Sequence, residues 1–89
     1  MNFEISKAFA KDVEILPSHT KRMILDVINE IQAANTLYEL TDCKKLQGED
    51  DLYRIRMGNY RLTFEYKAPS VVLKRALHRG KIYKKHNLK

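Results

Sequence analysis

Three arginines stand at alternating positions across two short extended segments: Arg54 and Arg56 within Leu52–Met57, and Arg61 just after the glycine turn Gly58-Asn59. In a strand, successive side chains point to opposite faces. Tyr53, Ile55 and Met57 therefore take one side of the first segment, and Arg54 and Arg56 the other. Along Tyr60–Lys67, Tyr60, Leu62, Phe64 and Tyr66 take one side, and Arg61, Thr63 and Glu65 the other. Both apolar sets have to face a core, so Arg54, Arg56 and Arg61 share the opposite surface of a hairpin. Like charges this close repel one another. They call for an anionic ligand, an acidic partner, or compensation from Asp50, Asp51 and Glu65. The guanidinium fork suits bidentate contact with phosphate. The chemistry on offer is the binding of phosphate and the stabilisation of negative charge on it.

Other chemistries find little support. Cys43, His19, His78 and His86 lack ligand spacing, so no metal is expected. No glycine-rich phosphate loop or nucleophile motif occurs, and nothing calls for a cofactor. The lone Cys43 excludes an internal disulfide and fits a reducing cytoplasm. Neither a secretory leader nor a membrane span is expected: Met1-Asn2-Phe3-Glu4 opens without a basic region, and no apolar run nears the roughly 20 residues a span needs.

Charge is distributed unevenly. Residues 1–51 hold six Lys/Arg and ten Asp/Glu, a net of −4, whereas residues 52–89 hold eleven Lys/Arg and one acid, a net of +10. Such a split within one small domain implies a basic surface built by the second half. Its natural partners are RNA, DNA or an acidic protein. Lys81, Lys84 and Lys85 extend the basic run as an RNA contact surface or a solvated tail.

The elements that must carry these residues follow from periodicity. Eighty-nine residues make one domain, 1–89. Phe3 and Ile5 alternate as a short strand. Phe9, Val13 and Leu16 mark one face of a helix from about Ser6 to Leu16. Pro17 breaks it, Ser18 is placed to cap the next helix, and Met23, Ile24, Val27, Ile28 and Ile31 form its stripe to about Ala34. Asn35–Asp51 shows no sustained period, with Leu37, Leu40 and Leu46 tacking it to the core. A meander of three strands follows, Leu52–Met57, Tyr60–Lys67 and Val71–His78, joined by Gly58-Asn59 and Ala68-Pro69-Ser70. The expected fold class is α+β: an N-terminal strand and a helical hairpin packed on an antiparallel sheet. The third strand presents either Arg75, Leu77 and Arg79 or Lys74, Ala76 and His78 to the arginine face, and the sequence leaves that register open.

Together, Leu46-Gln47-Gly48, Leu52-Tyr53-Arg54-Ile55-Arg56, Gly58-Asn59-Tyr60-Arg61-Leu62 and His78-Arg79-Gly80-Lys81-Ile82-Tyr83 resemble the signature of RelE-type toxins of the RelE/ParE superfamily. The upstream Ser6-Lys7-Ala8-Phe9-Ala10-Lys11-Asp12, followed by a helical hairpin, is similar to that family's N-terminus. The resemblance implies the toxin of a type II toxin–antitoxin system, a metal-free endoribonuclease cutting mRNA in the ribosomal A site. It implies a cognate antitoxin, whose acidic segment is expected to cover the arginines. It assigns the catalytic positions to Arg54, Arg56, Arg61, Arg79 and Tyr83, with Tyr83 stacking on a base or transferring a proton.

One departure matters. The family typically carries lysines where Arg54 and Arg56 stand, and arginine effectively never gives up its proton. General-base duty would then pass to His78, Tyr83 or a water, although His78 points away if Arg79 faces the patch. Two other functions stay open at this point. One is a ParE-like inhibitor of DNA gyrase, disfavoured by the Arg54/Arg56 and Tyr60/Arg61 pairs. The other is a ribosome- or nucleic-acid-binding module without catalysis.

Overall fold

The computed structural model describes residues 1–46, 48 and 51–81, and its elements follow the expected order with two additions. Strand β1 (Asn2–Ile5) leads into α1 (Lys7–Glu14) and α2 (Ser18–Ala33). A 3₁₀ turn at Leu37–Glu39 precedes β2 (Cys43–Lys45), and β3 (Leu52–Met57), β4 (Tyr60–Lys67) and β5 (Ser70–His78) form the meander. The sheet order is β1-β5-β4-β3-β2. Strand β2, which the sequence reads as irregular, pairs antiparallel with β3. Strand β1 pairs in parallel with β5, Phe3 facing Val71, so the sheet is mixed and not wholly antiparallel. No helix among the described residues is long and apolar enough to cross a membrane.

Local chemistry explains the helix starts. Ser6 caps α1: its Oγ accepts from the Phe9 N–H at 3.1 Å and donates to the Lys74 carbonyl at 3.0 Å, tying the helix start to β5. Ser18 does not cap α2. The capping position falls on Pro17, which offers no side-chain acceptor, and Ser18 is already helical.

Both helices cover one sheet face. Phe9, Ile24 and Ile31 meet Ile55, Met57, Leu62, Phe64, Val71, Leu73 and Ala76 in a sealed core. Tyr53 stacks on Phe64 with ring centroids 5.5 Å apart. The inward set of β5 is not strictly alternating. A register shift between Thr63 and Phe64 sets Phe64 opposite Leu73 but Leu62 opposite Ala76, leaving Lys74 as the extra residue. Alternation changes phase there, and both ends of β5 still turn apolar side chains inward.

Beyond Ile5, β1 no longer covers β5, and α1 takes over. The Asp12 carboxylate accepts from Arg75 Nε at 2.7 Å, Arg75 Nη2 at 2.9 Å and the Ala76 N–H at 3.0 Å. Its hydrogen bonds hold the Arg75 guanidinium above its usual pKa. Asp12→Ala should strand a backbone donor and a partly buried cation. A loss of about 2–3 kcal/mol in urea unfolding is expected, less than for a fully buried pair because Arg75 stays 22% exposed.

Candidate nucleic-acid interface

Strand pairing settles which side chains share the sheet face opposite α1 and α2. Arg56 stands opposite Arg61, and Arg61 opposite Leu77. In the next row, Lys44, Arg54, Thr63 and Arg75 follow one another across four strands. Arg54, Arg56 and Arg61 thus occupy one face, as the period-two reading requires. Lys44 joins them from β2.

The like charges are handled locally. Arg61 is buried, 5% exposed, and its Nη1 donates to the carbonyls of Gly58 (2.7 Å) and Tyr60 (3.0 Å). It braces the hairpin turn, where Gly58 takes φ +62°, a conformation glycine adopts without steric cost. Arg54 Nη1 donates to the Asp42 carbonyl at 2.9 Å, and Arg56 Nη2 lies 3.3 Å from Asp42 Oδ1. Among the described residues, the acid paired with Arg56 is Asp42, in the turn before β2, while Asp50 lies outside them. Glu65 lies instead 3.7 Å from Lys67.

The remaining candidates divide. The backbone N–H of Arg79 donates to the Asn59 carbonyl at 2.8 Å, which puts Arg79 beside the hairpin turn with its side chain exposed. That is the end of the sheet where Arg56 and Arg61 pair. Residues 79–81 take helical backbone, and Lys81 is exposed. His78 does not join the arginines. It pairs with Tyr60 on the helix-bearing face, its ring 5.6 Å from the Tyr60 ring, and its Nδ1 accepts the Gly80 N–H at 3.3 Å. The shape of β5 therefore places His78 beside Tyr60 and away from Arg54, Arg56 and Arg61. Arg75 shares a row with Arg54 but is bound to Asp12. Tyr83, Lys84 and Lys85 lie outside the described residues.

Lys44 and Asp42 escaped the sequence reading. Their only signal was an acid and two lysines around the single cysteine, in a stretch too short for a period to emerge. Cys43 itself faces the helix side, its thiol pushed up to about 11 by burial, with Arg54 pulling it down and Glu30 raising it. Cys43 packs against the hydrophobic core.

No family model matches the chain. A curated protein, Toxin RelE3 of Methanocaldococcus jannaschii, is 39% identical over 84 residues, covering 93% of this chain and 96% of that protein. A chain in the crystal structure of the RelB–RelE antitoxin–toxin complex from Methanococcus jannaschii superposes with a TM-score of 0.81 at 36% identity, over 92% of this chain and 96% of that one. A chain in the archaeal RelE–RelB complex of Pyrococcus horikoshii gives a TM-score of 0.70 at 27% identity, over 90% and 96% of the two chains.

Proposed function

Since the chain belongs to the RelE family of toxins, we propose that it is the toxin of a type II toxin–antitoxin pair, held by a cognate RelB-like antitoxin, and that it cleaves mRNA on the ribosome in the cytoplasm. The observation that carries the catalytic part is the sheet face opposite α1 and α2, where Arg54, Arg56 and Arg61 stand in adjoining register with Arg79 at the hairpin end.

Cleavage without a metal needs little more than such a surface. The ribose 2′-oxygen attacks the neighbouring phosphorus, the bond from phosphorus to the 5′-oxygen breaks, and the products are a 2′,3′-cyclic phosphate and a 5′-hydroxyl. One proton leaves the 2′-hydroxyl and one reaches the 5′-oxygen. Arg54, Arg56 and Arg79 orient the strand for in-line attack and stabilise the extra charge on the pentacoordinate phosphorus, while Arg61 braces the hairpin turn that carries them. With Arg54 and Arg56 permanently charged and His78 on the other face, the base is a water or Tyr83. Lys44 extends the track for the backbone on this face, and the basic residues Lys81, Lys84 and Lys85 that follow β5 in the sequence add charge to attract it.

The test is a defined mRNA in a ribosomal translation mixture with the purified toxin, read by primer extension. New 5′ ends within the A-site codon are expected, and pre-incubation with the antitoxin should remove them. Intact mRNA beside arrested DNA supercoiling would transfer the chain to the gyrase-inhibiting branch. Intact mRNA with toxin bound to the ribosome would make it a binding module.

A further inference from the structure

We propose that Asp42 is an internal stand-in for phosphate: its carboxylate occupies Arg56 in the free protein and is exchanged for a phosphate of the RNA strand on binding. This rests on the reading of the arginine face as an RNA surface. Asp42 is the one non-glycine residue among those described with a left-handed backbone, φ +55°. Aspartate and asparagine tolerate that region better than other side chains. The conformation turns both acceptors of one residue toward the sheet. Its carbonyl takes Arg54 Nη1 at 2.9 Å and the Arg56 N–H at 3.4 Å, while its carboxylate reaches Arg56 Nη2 at 3.3 Å. The turn is fixed from behind, because the Glu30 carboxylate on α2 accepts the Thr41 N–H.

The two arginines are thereby held in different ways. Arg54 is positioned by a neutral carbonyl and keeps its full charge for a ligand. Arg56 is held by an anion. Their side chains are 53% exposed for Arg56 and 48% for Asp42, so water and salt reach the contact and an incoming phosphate can replace it. A carboxylate and a phosphate oxygen offer the guanidinium the same kind of acceptor. Asp42 thus keeps Arg56 extended along the face while weakening the grip of the free toxin on polyanions that cannot displace it. It is a positioning residue that sets binding selectivity.

The experiment measures binding of a single-stranded RNA oligonucleotide against salt for wild type, Asp42→Asn and Asp26→Asn. Asparagine tolerates the left-handed turn, and Asp42→Gly gives a second variant that accepts it. Asp26→Asn makes the same charge change on the exposed surface of α2. Asp42→Asn should bind about five- to tenfold more tightly than Asp26→Asn at low salt. Its plot of log affinity against log salt should steepen by up to about 0.7, because in the wild type the carboxylate freed by the exchange takes up a cation and offsets the counterion released by the phosphate that Arg56 meets. Adding Arg56→Ala should abolish that gain. If Asp42→Asn and Asp26→Asn coincide in affinity and slope, the proposal is wrong and the ribonuclease reading is untouched. A wild type that binds RNA, shows the Asp42 effect and never cleaves ends the ribonuclease reading alone. No RNA binding by any variant ends both.

Discussion

Arg79→Ala is expected to lower single-turnover cleavage of ribosome-bound mRNA by about 10²–10³ at saturating toxin, with the fold intact. That is the usual cost of removing one preorganised group that stabilises transition-state charge. Arg79 gives the cleanest test in the patch because it contributes a backbone hydrogen bond to Asn59, which alanine keeps, and an exposed side chain. Arg61→Ala would be harder to read, since the side chain also braces the carbonyls of Gly58 and Tyr60. The control is Arg22→Ala on α2, which removes an equal charge from the helix layer. Thermal melts of both variants should match wild type. A wild-type rate for Arg79→Ala would take this residue out of the active site and, with it, the hairpin end of the sheet as the place of reaction.

Phe64→Ala should destabilise the fold by about 3–5 kcal/mol, a large share of the roughly 5–15 kcal/mol available to a domain. Phe64 is 0% exposed on the central strand, lies against Tyr53 and faces Leu73. Its truncation opens a cavity at the meeting point of three strands, where little can collapse inward. The adjacent Glu65→Ala alters the opposite face and should stay within about 0.5 kcal/mol. Urea unfolding of the two variants side by side checks the face assignment of the entire hairpin. A loss below about 1 kcal/mol for Phe64→Ala would contradict it.

Periodicity made the hairpin legible. Alternation along Leu52–Met57 and Tyr60–Lys67 was sufficient to separate Arg54, Arg56 and Arg61 from Ile55, Leu62 and Phe64, because the apolar side chains of both strands keep to one face, although Arg61 and Thr63 are buried on the other. The same argument could not orient β5. The shift at Lys74 changes the phase of alternation midway, so the pattern around Val71 and Leu73 contradicts the one around Ala76, and the position of His78 depends on it. Strand β2 was hidden for another reason: its three residues are too few for a period, and Asn35–Asp51, which holds Lys44 and Asp42, shows none. Residue type also cannot say where a guanidinium's hydrogen bonds go. Arg61 and Arg75 look like patch residues in the sequence, yet one is turned to its own hairpin and the other to α1.

The parallel seam between β1 and β5 fixes an order of assembly. Strands β3 to β5 meet across short turns, but Phe3 reaches Val71 only when almost all of the intervening chain has been gathered. Closing so long a loop is entropically expensive and repaid late, so the meander forms first and the N-terminal strand docks last. Once docked, the strand is held at its start by the Met1 ammonium, which donates to the carbonyls of Ile31, Gln32 and Ala34 at the end of α2. Opening would carry off Ser6 together with β1 and uncover the β5 edge from Ser70 to Leu73, while Asp12 still shields Ala76. An uncovered β5 edge would be a template for another extended chain, so β1 is what closes this side of the sheet.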